Sequence, residues 1–370
     1  MNALKGYAAR IPARHLDEVR NDPNVSFVSA DRRVHAFAQS LPTGVNRIEG
    51  DLSSTKSGDG SGDLSDPNGS GGPDVAIIDT GIDLDHPDLN VVGGKNCQSG
   101  TSYDDGNGHG THVAGTVAAK DDGNGVVGMA PGARLYGVRV LNDSGSGSWS
   151  AVICGINWVT GLNTDSDSNN NIEVANMSLG GSGSDDGNCG NSNNDALHKA
   201  ICRSVASGVT YVVAAGNSNK NFSGFVPAAY NEVLTVTAMA DFNGQPGGGA
   251  AATCRSDVDE TPADFSNFTK VGNSDVGHTI AAPGVCIRST WKGGGYKTIS
   301  GTSMASPHVA GAAALCIATN NCSGSPSSIM SKLRSDAAAQ PASYGFAMDA
   351  HQVTTSGSRY YGYLVYAGGY

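Results

Sequence analysis

Five short apolar segments decide the fold: DVAIID (74–79), RLYGVRVL (134–141), IEVANMSL (172–179), TYVVAAG (210–216) and VLTVTAMA (233–240). Each is rich in β-branched residues and apolar at successive positions, which is typical of strands buried on both faces. Helical patterns lie between or after them, at residues 109–120, 149–162, 194–207, 303–319 and 326–337. Doubly buried strands that alternate with helices predict an α/β fold with three layers, αβα, around a mostly parallel sheet.

The composition excludes several classes of partner. Of the 370 residues, 15% are charged, below the roughly 25% of an ordinary soluble domain. The chain carries 23 Lys and Arg against 34 Asp and Glu, a net charge of −11, and has no basic run, so we expect no nucleic-acid partner. The longest apolar stretch in a helical pattern, residues 309–318, is shorter than the roughly 18 residues of a membrane span. We therefore expect no membrane partner.

The cysteines indicate an oxidising compartment. Eight cysteines without a C-x-x-C or Cys/His metal spacing favour four disulfides over zinc sites, and disulfides predict a secreted, extracellular protein. Residues 1–30 carry charges throughout and no apolar core, so we expect no signal peptide within them. Two cysteine pairs flank helix ends. For the other four cysteines, which allow three pairings, we favour the pairing that closes the shorter loops. The expected pairs are Cys189–Cys202, Cys316–Cys322, Cys97–Cys154 and Cys254–Cys286.

The chain divides into three regions by composition. Residues 1–37 have a strand-like run at 4–11, a helix-like run at 12–22 and a second strand-like run at 25–34, and predict a small α+β piece. The main body covers residues 38–340 and contains a Gly-, Ser- and Asp-rich stretch at 49–74, which predicts a surface loop. Residues 341–370 form a C-terminal extension. Its alternating aromatic residues at 359–370 predict a terminal strand.

Four polar side chains fall where the ligand crevice of such a sheet is expected, outside the carboxyl ends of the strands. Asp79 ends one strand and Asn217 follows another, whereas His109 and Ser303 each open a helix. Singly, these residues are more often turn caps, packed histidines or helix caps. Together, an acid, an imidazole, an amide and a hydroxyl are the parts of nucleophilic acyl transfer.

Five motifs resemble the subtilisin family of serine peptidases: DTGIDLDHPDL (79–89), GHGTHVAGT (108–116), NMSLGG (176–181), AAGN (214–217) and GTSMASPHVAG (301–311). They occur in the family's order of Asp, His and Ser, and the similarity runs from about Ala38 to Ala338. The resemblance implies a subtilisin-like fold and a secreted serine endopeptidase. By this resemblance, Asp79 is the acid that orients the base, His109 is the general base, Ser303 is the nucleophile and Asn217 is the oxyanion donor.

The resemblance also implies where a polypeptide substrate binds. Segments 144–150 and 178–181 resemble the two edges between which the family lays a substrate strand, through main-chain hydrogen bonds. Phe225 and Val226 fall near the floor of the primary specificity pocket, and their bulk predicts a shallow pocket. The walls of this pocket contain no acidic residue, so we expect no strong preference for basic side chains of the substrate. The implied substrate-binding residues are Ser146, Gly147, Ser178, Leu179, Gly180, Ala215 and Gly216.

A structural calcium ion is the cofactor that the resemblance implies, and no organic cofactor is expected. Gln39, Asp88 and Asp122 match the family's tight site, which the backbone carbonyls of Lys120, Asn124 and Val126 complete. The alternative is that these acids are solvated surface residues. A weaker candidate, DSDSNNNIE (165–173), begins like a calcium loop but has Asn170 and Asn176 where the loop needs glycine and glutamate. His112, three residues after His109, lacks the glutamate of a zinc motif, and with His308 is expected to be a packed helix residue.

Residues 1–37 resemble the second half of the family's inhibitory propeptide, and AQSLPTGVNRI (38–48) resembles the start of a mature subtilisin. We expect cleavage between Phe37 and Ala38, in a zymogen that the propeptide inhibits as a bound product. The first strand and helix of such a propeptide would precede Met1. The alternative is a permanent N-terminal domain. We expect a monomer.

Two other function classes remain open at this point. A pseudoenzyme or adhesion module on the same fold predicts the loss of at least one of the four polar groups, and none is lost. A metal-dependent hydrolase predicts inhibition by a chelator and not by a serine-directed organophosphate.

Overall fold

The computed structural model describes residues 9–29, 39–60, 64 and 72–370. The chain forms two compact units, Met1–Phe37 and Ala38–Tyr370. In the first unit a 3-10 turn at Ala13–His15 leads into α1, Leu16–Arg20. Residues 25–29 lie in no strand, because most of them are exposed and bury no apolar face, so the strand predicted over 25–34 is wrong there. The rest of that strand, and most of the strand predicted at 4–11, lie outside the described residues.

The second unit contains six helices and fourteen strands in its described part. The helices are α2 (Thr43–Arg47), α3 (His109–Ala118), α4 (Trp149–Leu162), α5 (Ala196–Ala206), α6 (Thr302–Ala318) and α7 (Pro326–Ala339), with 3-10 turns at Gly50–Leu52, Ser168–Asn170, Phe222–Gly224 and Ser274–His278. The strands are β1 (Asp74–Asp79), β2 (Val91–Asn96), β3 (Leu135–Arg139), β4 (Ile172–Met177), β5 (Gly181–Ser182), β6 (Thr210–Ala214), β7 (Phe225–Val226), β8 (Leu234–Ala240), β9 (Thr261–Pro262), β10 (Thr269–Lys270), β11 (Thr279–Pro283), β12 (Ile287–Trp291), β13 (Gly295–Ile299) and β14 (Arg359–Tyr360).

The central sheet has seven parallel strands in the order β11-β8-β6-β4-β1-β3-β2, and β9 pairs antiparallel with β8. Alternate residues of the strands point to opposite faces. Val75 and Ile77 of β1 pack in the core that contains α3 and α6, while Ala76 and Ile78 pack in the core that contains α4 and α5. The predicted three-layer αβα fold with a mostly parallel sheet is therefore confirmed.

The predicted strands and helices of this unit agree with the structure to within two residues at most ends. Prediction missed β2 and β11, which are the outermost strands of the parallel sheet. β2 (VVGGKN) contains two glycines and is only partly buried, and β11 (TIAAP) is short and ends in proline. Edge strands carry a weaker sequence signal because they are not packed between two neighbours.

The C-terminal extension lies along the β11 edge. Leu364 forms a parallel bridge with Ala281, whose N–H donates to the Tyr363 carbonyl and whose carbonyl accepts from the Val365 N–H. β14 pairs antiparallel with β10. The strand predicted over 359–370 is thus realised as a two-residue strand and a single bridge.

All four expected disulfides are present, and the described residues include no free cysteine. The pairs are Cys97–Cys154, Cys189–Cys202, Cys254–Cys286 and Cys316–Cys322. Among the described helices, none has both the length and the apolar character that crossing a bilayer requires.

Candidate active site

The structure joins Asp79, at the carboxyl end of β1, to His109, the first residue of α3. His109 Nδ1 lies 2.8 Å from Asp79 Oδ1, and the Asp79 side chain is fully buried while that of His109 is 26% exposed. Burial acts to lower the pKa of His109, but the charge and hydrogen bond of Asp79, together with the charge of Asp105, outweigh it and raise that pKa. The carboxylate also fixes the ring so that Nε2 is free to act on a neighbour.

Asp105 holds the start of α3 in place. Its Oδ1 accepts hydrogen bonds from Thr80 Oγ1 and from the N–H groups of Asn107 and Gly108, at 2.8–2.9 Å. Its Oδ2 accepts from the N–H and the hydroxyl of Thr111. Sequence reasoning missed this residue, although an acid four residues before His109, at the start of a helix, was an available signal.

Ser303 is the second residue of α6 and borders the same crevice. Its Oγ donates to the Ser178 carbonyl at 3.3 Å, and although both residues are described, no hydrogen bond joins it to His109. His109 lines a groove of about 750 Å³, and Ser303 lines an adjoining cavity of about 340 Å³. Leu179, Gly180 and Gly181 line both. The two groups therefore face one continuous cleft.

Asn217 presents its amide to the cavity that Ser303 lines. Its Oδ1 accepts from the N–H and the hydroxyl of Thr302, at 2.8 and 2.9 Å. Because the carbonyl end of the amide is held in this way, Nδ2 is the end left to donate elsewhere. The N–H of Ser303 lies in the first turn of α6, where helical amides have no acceptor within the helix.

All seven predicted substrate-binding residues line the cleft. Ser146, Gly147 and Ser178 line the larger groove, Ala215 and Gly216 line the smaller cavity, and Leu179 and Gly180 line both. Phe225 and Val226 line the smaller cavity as expected, and no acidic residue borders it. Trp149, which belongs to the predicted edge at 144–150, also lines the larger groove, whereas the sequence did not indicate Val152, which lines it too.

The predicted calcium ligands come together around two unpartnered oxygens. Gln39 Nε2 contacts the carbonyls of Lys120 and Val126, at 2.7 and 3.3 Å, and Asp88 Oδ2 accepts from the Val126 N–H at 3.1 Å. Gln39 Oε1 and Asp88 Oδ1 are buried without a hydrogen-bond partner, and burial raises the pKa of Asp88 to about 6. Asp122 is exposed and accepts from the Asn124 N–H. Buried oxygens of this kind fit a hard cation.

The remaining candidates have structural partners. In the 165–173 segment, Asp165 and Asp167 accept backbone N–H groups two residues on, as turn-forming acids do. His112 Nε2 contacts two backbone carbonyls and His308 Nδ1 contacts the Met304 carbonyl. Burial lowers the pKa of these rings to about 3 and about 4. Both are packed helix histidines, as predicted.

Comparison with known proteins gives consistent results. The profile of the Subtilase family matches residues 70–362. Subtilisin NAT from Bacillus subtilis subsp. natto is 38% identical over 316 residues, which cover 84% of this chain and 70% of that protein. An alkaline protease from Alkalihalobacillus alcalophilus is 38% identical over 301 residues, 81% of this chain and 66% of that protein. A crystal structure of a cold-adapted subtilisin-like serine proteinase is similar with a TM-score of 0.61 and 32% identity, over 88% of this chain and 97% of that one.

Proposed function

This chain belongs to the subtilase family of serine endopeptidases, which act on polypeptides, and we propose that it cuts them with Ser303, His109, Asp79 and Asn217. The observation that carries the assignment is the 2.8 Å contact between Asp79 and His109 at the rim of the cleft that Ser303 lines. An oriented base and a hydroxyl facing one cleft supply the first requirements of acyl transfer.

The proposed reaction has two halves. Ser303 Oγ attacks the peptide carbonyl carbon while His109 Nε2 accepts the hydroxyl proton, and the resulting imidazolium is stabilised by Asp79. The proton then passes to the leaving amine and an acyl-enzyme remains. Water then attacks the ester carbonyl while His109 accepts its proton, and that proton passes to Ser303 Oγ as the ester bond breaks and the acid product is released. The free hydroxyl bonds to the Ser178 carbonyl, so catalysis requires that it turns toward His109.

Asn217 and the Ser303 N–H are the proposed oxyanion donors. Thr302 holds the carbonyl end of the Asn217 amide, so Nδ2 is oriented before the negative charge develops on the substrate oxygen. Donors fixed in advance need no reorganisation in the transition state and stabilise it most. The edges at 144–148 and 178–181 supply backbone groups for a substrate strand.

Substitution and chemical modification test the assignment. Ser303→Ala should leave a folded chain that does not hydrolyse casein or a peptide anilide, and Asn217→Ala should lower kcat by about 10²–10³ with little change in KM, the loss known for an oxyanion donor in this family. A serine-directed organophosphate should label Ser303 in the wild type. Hydrolysis by Ser303→Ala, or inhibition by a chelator in place of the organophosphate, would refute the serine mechanism.

Self-processing is the proposed route to the active enzyme. Cleavage between Phe37 and Ala38 would separate residues 1–37, which resemble an inhibitory propeptide. When the two proteins are expressed side by side, the wild type should begin at Ala38, whereas Ser303→Ala should begin at Met1 or Asn2. A wild type that stays uncut yet is fully active would instead support a permanent N-terminal domain.

Calcium is the proposed structural cofactor. The Asp88 and Asp122 carboxylates and the backbone carbonyls of Lys120, Asn124 and Val126 would hold it. The Gln39 amide, whose Nε2 donates to the Lys120 and Val126 carbonyls, would turn over so that Oε1 joins these ligands. The Lys120 ammonium contacts the Pro87 carbonyl, so only the main chain of Lys120 serves the site. Bound calcium would supply charge compensation and a cross-link between distant segments.

An extracellular location and a monomeric state complete the proposal. Four disulfides and no free thiol among the described residues suit an oxidising compartment. Gel filtration of Ser303→Ala should give the mass of a single chain.

A further inference from the structure

A second cluster of ionisable side chains lies outside the proposed active site, where residues 183–195 meet α5. Asp185 and Asp186 belong to this loop, which we name the 183–195 loop, His198 lies in the first turn of α5, and Glu232 precedes β8. The Asp side chains are 16% and 6% exposed and the His198 ring is fully buried. A concentration of carboxylates around a fully buried imidazole needs a compensating positive charge.

The His198 ring has one satisfied nitrogen and one that is not. Nε2 lies 2.8 Å from Glu232 Oε2, an acceptor, and therefore carries the proton. Nδ1 has no hydrogen-bond partner and faces Asp185 Oδ1 at 3.5 Å and Asp186 Oδ1 at 3.3 Å. The ring stacks on Tyr230 with 4.0 Å between centroids and 4° between planes, which fixes the direction of Nδ1. Nδ1 therefore faces two carboxylate oxygens, and either a metal ion bound by a neutral ring or a proton on Nδ1 would compensate their charge.

We propose a binding site for a divalent transition-metal ion such as zinc. Its protein ligands are Asp185 Oδ1, Asp186 Oδ1 and His198 Nδ1. The three atoms lie within 4.8 Å of one another. In a tetrahedral zinc site with bonds of about 2.0–2.1 Å, neighbouring ligand atoms are about 3.3–3.4 Å apart, close to the distances found here. A nitrogen ligand favours zinc over calcium, which takes only oxygen. Water would complete the coordination.

The surroundings support the ligands as they do in metal sites. Glu232 on the far nitrogen of His198 makes a carboxylate–histidine–metal arrangement. Asp185 Oδ2 accepts from the Asn231 amide, and both oxygens of Asp186 accept from backbone N–H groups of residues 188–193. These contacts orient both carboxylates in advance. Cys189 and Cys202 also lie near Glu232 and His198, but they form a disulfide and offer no thiolate.

The proposed ion would stabilise the wall of the substrate cleft. The 183–195 loop continues directly from β5, which pairs with β7, and Phe225 and Val226 of β7 line the cavity beside Ser303. A metal between this loop and α5 would tie the β5–β7 pair to the three-layer body. Its role is structural and separate from the acyl-transfer chemistry.

Zinc binding to the full chain carrying Ser303→Ala tests the site, because that variant is not expected to digest itself. After treatment with EDTA and dialysis into millimolar calcium, calorimetric titration with zinc chloride should show a site that His198→Gln removes and Asp185→Asn weakens at least tenfold. Cobalt(II) should give visible absorption bands that both variants lose. His351→Gln is the matched control, since His351 also faces a carboxylate but has both ring nitrogens partnered, by Asp349 and the Ala338 carbonyl.

The outcomes separate the possibilities. Zinc binding that survives in His198→Gln places the ion elsewhere, and binding that is lost only in His109→Gln places it at the proposed active site. Either result overturns the inference. Absence of zinc binding to the parent chain also overturns it, and means that a proton on Nδ1 compensates the carboxylates. Near-ultraviolet circular dichroism checks the fold, and Asp185→Asn decides the matter if His198→Gln does not fold.

Discussion

Asp241 lies in a buried group of three carboxylates beside the Arg47 guanidinium. Arg47 is buried and donates to Glu260 through Nε and Nη2 at 2.8 and 2.6 Å, while Asp241 and Asp259 lie alongside Glu260. Both oxygens of Asp241 accept from the Gly244 N–H. Burial, with a smaller contribution from the charge of Glu260, raises the pKa of Asp241 to about 7.

Asp241→Asn should stabilise the protein in mildly alkaline solution. The pKa of Asp in the unfolded chain is about 3.9, so between pH 4 and 7 the folded state binds more protons and wild-type stability falls as pH rises. The amide stays neutral and its oxygen can still accept from Gly244. Urea unfolding in a Ser303→Ala background should show a gain on the order of 1–3 kcal/mol at pH 8 and almost none near pH 4. Asp85→Asn, at an exposed position, is the control, and a loss of stability at pH 8 would contradict the argument.

The pKa of His109 sets the acid limb of activity. The base acts only when neutral, so kcat/KM should rise with pH through the pKa of His109, above the ordinary value of about 6.5. Asp79→Asn removes the charge that raises this pKa, so the limb should move to lower pH while kcat falls by about 10⁴. The pH profile of anilide hydrolysis measures both effects, and an unmoved midpoint would argue against the assigned pair.

The sequence indicated the proposed active-site residues better than it indicated their contacts. Asp79, His109, Ser303 and Asn217 could be predicted because each is part of a local motif. The bond from Ser303 Oγ to the Ser178 carbonyl could not, since a rotamer depends on neighbours 125 residues away. Arg47 and Glu260 are separated by 213 positions, and nothing local pairs them.

Among secondary-structure elements, central strands were predictable and edge strands were not. The inner strands β1, β4 and β6 are buried on both faces and have continuous apolar signals. β11 has small residues and pairs at Ala281 with Leu364 of the C-terminal extension, a contact that no periodicity reveals. Pairing partners distant along the chain are chosen by tertiary packing, which overrides local preference.

The C-terminal extension should contribute to stability by covering the β11 edge. Leu364 is buried beside Ala281, and its N–H donates to the buried Asp349 carboxylate. Leu364→Ala leaves a cavity there and should lower the free energy of unfolding by about 2–4 kcal/mol. Leu52→Ala, at a 64% exposed leucine, should change it by less than about 0.5 kcal/mol. Equal effects of the two substitutions in urea unfolding would mean that the extension does not cover the edge.

Calcium removal should destabilise the whole second unit, because the proposed ligands join segments far apart in the chain. Gln39 lies near the start of that unit, Asp88 follows β1, and Lys120 to Val126 follow α3. Without a cation, Gln39 Oε1 and Asp88 Oδ1 stay buried and unpartnered. Calcium at about 1,000 times its Kd would stabilise the folded state by about 4 kcal/mol. For a unit of this size that corresponds to a Tm change of roughly 6 °C.

Thermal unfolding of Ser303→Ala in EDTA and in millimolar calcium measures this difference without self-digestion. Asp122→Ala should need more calcium for the same Tm but match the parent in EDTA, since this exposed side chain packs against little else. Asp165→Ala, at an exposed acid of the 165–173 segment, should follow the parent under both conditions. Calcium alone should restore the Tm after EDTA, whereas zinc alone should not, because an all-oxygen cage prefers the harder ion. An unchanged Tm in EDTA would refute the site at Gln39 and Asp88.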